Sequence, residues 1–157
     1  MKYTRLSLQD LKDLEKEFVE FLALNGIPAD EWERLKKEDM DKVEQVIDHF
    51  SDVIWEGVLR KTEMVEHRRA DKLTLCKIVD GELITLLMKT TDVNIDLTKT
   101  ENIYEAISNI QGYQVSIQKD KIEKEATQQY FELLEIGFYI AKEPKYEALF
   151  EQVGNLS

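Results

Sequence analysis

Four acidic side chains, Glu44, Asp48, Asp52 and Glu56, follow one another at intervals of four. On a helix that spacing stacks them in one row. Like charges so placed repel by about 0.2–0.5 kcal/mol per pair, so the row needs a reason. His49 lies about 100° round the helix from Asp48, and together with Asp52 these two could offer nitrogen and oxygen ligands to a divalent cation. Carboxylate metal sites draw ligands from more than one element, and the sequence holds neither H-E-x-x-H nor a second E-x-x-H to complete this one. The row is therefore read as a solvated helix face, with no metal ligands assigned.

A second group sits in the middle of the chain. Glu63-Met-Val-Glu66-His67 brings acid and base groups together, Arg68 and Arg69 follow, and Cys76 is the one cysteine. A Cys–His pair is the minimum for thiol catalysis, but no third orienting group is evident, and a lone cysteine in an apolar strand reads as a small packed hydrophobe. His67, Arg68 and Arg69 are the candidate ligand pocket if the protein is a small enzyme or a ligand-binding protein. Successive strand residues face opposite ways, which weakens a joint grip by Arg68 and Arg69 on one anion. Asp92-Val-Asn94-Ile-Asp96 opens like a calcium loop, yet Leu97 stands where the turn needs glycine and Ile103 where a bidentate glutamate is required. The six glycines, Gly26, Gly57, Gly81, Gly112, Gly137 and Gly154, are too scattered for either nucleotide-binding glycine pattern. No catalytic residue, cofactor or metal is assigned, and whether the chain is an enzyme stays open.

The elements that carry these residues follow from periodicity. Ser7-Leu-Gln-Asp10 has the form of a capping box. It opens a helix with Leu11, Leu14, Phe18, Phe21 and Leu22 on one face, stopped by Asn25-Gly26. A short helix covers Asp30 to Lys37, with Trp32 and Leu35 inward. A long helix runs from about Asp39 to Arg60, its apolar stripe formed by Val43, Val46, Ile47, Phe50, Val53, Ile54 and Val58. Trp55 and Leu59 lie outside that stripe, about 120° and 160° round from Val43, and are the candidate interface with another chain.

Strand formers then take over in Met64–Ala70, Leu73–Val79 and Leu83–Lys89. Asp80-Gly81 marks a two-residue hairpin that sets Val79 opposite Glu82, Lys77 opposite Ile84 and Leu75 opposite Leu86. A capping box at Thr98–Glu101 predicts a helix to about Ile110, and Tyr113–Gln118 alternates as a further strand. Asp120 is expected to start the next helix, and a last one follows Pro144. The fold class is α+β: N-terminal helices, a small mainly antiparallel sheet (a three-strand meander plus one further strand) and C-terminal helices, in one domain over residues 1–157.

Composition excludes several roles. With 21 Lys+Arg against 32 Asp+Glu in 157 residues, the formal net charge is −11. A nucleic-acid surface gains affinity by neutralising phosphates, which this chain opposes at long range, so no nucleic-acid partner is expected. No apolar run is long enough to span a bilayer, and the first residues do not form a signal peptide. Residues 58–81, with six basic and four acidic side chains, are the one basic island.

Three stretches carry a likeness: Met1-Lys-Tyr-Thr-Arg-Leu6, Asn25-Gly-Ile-Pro-Ala-Asp-Glu-Trp32 and Phe50-Ser-Asp-Val-Ile-Trp-Glu-Gly-Val-Leu59. They resemble an uncharacterised family of short acidic bacterial proteins, a domain of unknown function. The resemblance implies a bacterial, cytoplasmic protein and carries over no catalytic residues. The leading expectation is a non-enzymatic cytosolic module that binds a protein partner or associates with itself.

Overall fold

A computed structural model describes residues 1–156, with side chains through Gly154. The fold is α+β, with seven α-helices among the described residues and an open five-stranded antiparallel sheet. The chain forms two compact units, Met1–Arg60 and the residues from Lys61 onward.

The first unit holds α1 (Leu8–Asp13), α2 (Glu15–Leu24), α3 (Ala29–Glu38) and α4 (Met40–Arg60). Ser7 caps α1 as its sequence predicts, its hydroxyl accepting the Asp10 amide at 3.1 Å. The single helix expected from Ser7 to Asn25 is instead two, broken at Leu14. Backbone bonds run on from Leu14 N–H to Asp10 C=O and from Phe18 N–H to Leu14 C=O. Neither Gly nor Pro announces the break. Gly26, at φ 74°, closes α2 with paired bonds from Gly26 N–H to Ala23 C=O and from Ile27 N–H to Leu22 C=O. The core is aromatic: Phe18 meets Trp32 at 5.2 Å and Phe50 at 5.0 Å between ring centroids. Along α4 the predicted stripe is partly wrong. Val53 and Val58 are exposed, whereas Ser51 and Leu59 are buried.

Ser51 is buried because the N-terminal segment crosses α4 there. Leu6 N–H donates to Ser51 Oγ at 3.1 Å, and Ser51 Oγ–H returns to Ile47 C=O at 2.8 Å. The Lys2 and Tyr3 amides donate to the two Asp52 oxygens at 2.7 and 2.9 Å. Arg5 bonds Asp48 at 2.6 Å, and Tyr3 donates its hydroxyl to Glu56.

The second unit is the sheet with α5 (Thr100–Ser108), α6 (Ala126–Glu135) and α7 (Lys145–Leu156). Its strands are β1 (Val65–Arg69), β2 (Lys72–Val79), β3 (Glu82–Lys89), β4 (Gln114–Lys121) and β5 (Tyr139–Ile140), in the order β4-β3-β2-β1-β5. Asp80 and Gly81 take φ of 50° and 77°, as a type I′ turn requires. The β2–β3 register is the predicted one, Val79 opposite Glu82 and Leu75 opposite Leu86.

Three expectations need correction here. β4 continues to Lys121 and α6 begins only at Ala126, because β3 offers eight residues to pair and Asp120 pairs with Leu83. Thr98 does not cap α5; Asp96 takes both its amide and its hydroxyl, at 3.0 and 2.6 Å, and the helix starts at Thr100. β5 is an added strand, two residues long and too short to show alternation.

One face of the sheet, with Leu73, Leu75, Leu86 and Met88 fully buried, packs with α5 and α7 residues Ile103, Tyr146 and Leu149 into the main core. α6 contributes a wedge. Just before β1 starts, the Tyr130 hydroxyl accepts the Ile78 amide at 2.9 Å and donates to Glu63 C=O at 3.1 Å, taking the place of a missing ladder bond. Tyr130→Phe removes the partner of both part-buried backbone groups and should lower stability by about 1 kcal/mol. Urea unfolding measures this, and an unchanged midpoint would contradict it.

Candidate functional site

Strand alternation sends Glu66 and Arg68 to the face covered by α5 and α7, and His67 and Arg69 to the other. Arg68 is almost wholly engaged. Its Nε donates to Glu66, its Nη1 to Thr98 C=O at 3.2 Å and Thr100 Oγ1 at 3.0 Å, and its Nη2 to the Tyr146 hydroxyl at 3.2 Å. Tyr146 in turn donates to Glu66 at 3.0 Å. Burial is the largest single influence on Arg68 and opposes its charge, but Glu66 and Tyr146 together outweigh it and hold the guanidinium above its ordinary range. Burial, with the Glu66 charge beside it, also pushes the Tyr146 phenol far above its usual range.

A cleft at this sheet edge is lined by Glu66, His67, Arg68, Gly137 and Tyr139. Arg69 is exposed and outside it. The His67 ring lies 5.4 Å from Phe138, and Gly137, at φ 110°, passes close over it. The structure therefore brings His67 and Arg68 to one cleft, with the Arg68 donors already committed to Glu66, Tyr146 and the α5 start.

The remaining sequence candidates fall as follows. Cys76 is buried, its sulfur 3.6 Å from Thr85 Oγ1, and burial pushes the thiol up, away from the nucleophilic form. Asp92 and Asp96 accept amides of their own turns, from Asn94 and Thr98. Asp48 and Asp52 receive the N-terminal segment, and His49 stands edge-on to Phe21 at 5.1 Å. No group of three or more metal-ligating side chains occurs among the described residues. Leu59 is 1 % exposed, and Trp55 is half-buried. None of the described helices is long and apolar enough to cross a membrane.

The feature that sequence reasoning missed lies at the opposite edge. The Ile122 amide donates to Gly81 C=O at 3.0 Å, which fixes the parity of the β3–β4 ladder. Backbone groups of Gln114, Ser116, Gln118 and Asp120 therefore point to β3, and those of Val115, Ile117, Lys119 and Lys121 point outward from the sheet. Val115 and Ile117 turn their side chains under α7, where Ile84, Phe150 and Val153 complete an apolar groove of about 530 Å³. Lys77 closes one end, its ammonium 3.0 Å from Glu147 and 4.4 Å from the Phe150 ring centroid. Alternating Val115-Ser-Ile117 is a visible strand signal; the helix above it is a long-range arrangement with none.

A family model described as a family of unknown function (DUF6495) matches residues 1–154. The chain belongs to that family. No curated protein and no solved structure matches it. The DUF6495 match spans both compact units, so the groove and the Arg68 cluster both lie within the matched region.

The cluster makes two measurable demands. Arg68→Met leaves the Glu66 carboxylate buried without its partner and should destabilise by about 3–5 kcal/mol, while Glu66→Leu with Arg68→Met should recover most of that loss. Tyr146 stays protonated in the folded chain at pH values where an unfolded phenol ionises, near pH 10. Its contribution is thus complete below pH 10 and declines above it. Alkaline melting curves should fall less steeply for Tyr146→Phe than for the native chain, and parallel curves would contradict this.

Proposed function

We propose that this member of DUF6495 is a non-catalytic protein-interaction module of the bacterial cytosol, which binds an extended segment of another protein as a sixth strand beside β4. The observation that carries this reading is the pairing of an open strand edge with a groove that can take side chains. Strand addition draws affinity from main-chain hydrogen bonds and specificity from pockets for alternate residues. Both are present at β4: the outward backbone groups of Val115, Ile117 and Lys119, and the apolar trough between those same residues and α7. A segment paired there sends every second side chain into the trough.

The other sheet edge is a poorer receiver. β5 already pairs with Val65 and Glu66, and beyond it only Arg68 directs backbone groups outward.

Proline separates the two kinds of β4 amide. Ile117→Pro removes an outward donor that no strand of this sheet uses, and edge strands tolerate proline at such positions. Heptapeptides selected from a random display library against the native protein should alternate apolar residues and lose about fivefold or more in affinity for Ile117→Pro. Its melting temperature should stay within a few degrees of the native value. A library that yields no binders, or binders indifferent to Ile117→Pro, would overturn the proposal.

A further inference from the structure

We infer that the segment added to β4 carries an acidic side chain two positions from its apolar anchor, read by Lys119; this rests on the strand-addition reading. The β2–β3 and β3–β4 registers place Lys77, Ile84 and Lys119 in one row across the sheet, all facing the α7 side. The next row is Leu75, Leu86 and Ile117. The groove thus has an apolar row beside a row with lysine at both ends.

The two lysines differ in what is left of their charge. Lys77 is 18 % exposed, neutralised by Glu147 and seated on Phe150. Lys119 is exposed, and no ion pair among the described residues involves it. A residue paired with Ile117 on the added strand sends its side chain into the trough. The residue two positions away, roughly 7 Å along the strand, stands opposite Lys119 on the same face. Directly opposed side chains have Cβ atoms roughly 5 Å apart, close enough for a charge pair.

Glu151 also lines the groove, but from α7, outside the ladder, so it is not opposed to any residue of the added strand. The protein's negative charge does not cancel the local preference. At physiological ionic strength the screening length is about 8 Å, so a contact pair outweighs distant carboxylates.

The test uses heptapeptides of alternating threonine and valine with a central isoleucine. Two carry aspartate two positions before or after the isoleucine, and matched peptides carry lysine or threonine there. Amide shifts of Val115, Ile117 and Lys119 give the affinities. The native protein should prefer one aspartate peptide over its threonine counterpart by about threefold to fivefold, and 1 M NaCl should erase the difference. Which aspartate position wins reports whether the strand adds parallel or antiparallel. Lys119→Glu should shift the preference to lysine at that position. Equal binding of all charge variants, or a ranking that Lys119→Glu leaves intact, overturns the inference while strand addition stands. Absence of binding by every peptide overturns strand addition itself.

Discussion

Glu66 and Arg68 lie on the side of β1 that the helices cover, and the second unit is organised around making that burial tolerable. A carboxylate and a guanidinium taken out of water each lose several kcal/mol of hydration, which only close and complete pairing offsets. The partners are drawn from far along the chain. Thr98 and Thr100 belong to the entry of α5, and Tyr146 to the first turn of α7. Meeting one guanidinium anchors both helices to β1 at their N-terminal ends. Once α7 is held by Tyr146, its later residues Leu149, Phe150 and Val153 extend across β2, β3 and β4 and roof the groove. The position of a surface trough at one edge of the sheet thus depends on an ion pair near the other.

Local signals in the sequence specify most of the elements, and the exceptions share a cause. Asp80-Gly81 has a conformational demand few residues meet, so the hairpin and its register are readable at once. Ser7 and Gly26 are equally local. Thr98 misleads because a capping pattern does not say where the helix starts: Asp96 holds the Thr98 amide and hydroxyl in a turn of its own, and the helix begins only at Thr100. β5 and the Tyr130 wedge are settled by chain segments more than fifty residues away, and no window of neighbouring residues contains them. The acidic row of α4 is the same case. Its spacing is plain, but its use, receiving Lys2, Tyr3 and Arg5, depends on which segment folds back onto it.

Site chemistry was harder to read than fold for a related reason. Reactive side-chain types draw attention in a sequence, and in this protein most of them are spent on structure. Arg68, Asp48, Asp52 and Asp96 each complete a turn, a network or a crossing segment, and Cys76 is packed with its thiol held protonated. The apolar part of the groove is made of residues without chemistry, valine and isoleucine on strands and phenylalanine and valine on a helix, with Lys77, Lys119 and Glu151 beside them. What makes it a candidate is the coincidence of side-chain direction with unpaired backbone, which is a property of register alone.

An open edge must also refuse the wrong strands. β4 does this unequally along its length. Val115 and Ile117 are sheltered by α7, so their apolar side chains do not lie bare to a passing sheet. Lys119 and Lys121 occupy the stretch beyond, where an approaching lysine-bearing edge, such as that of a second copy centred on Lys119, meets like charge at the pairing position. Two copies each bearing −11 also repel at longer range, before the local pairs can form. The same lysines that disfavour such self-pairing leave room for a strand of opposite charge. Protection against aggregation and choice of partner are in this edge one and the same arrangement of charge.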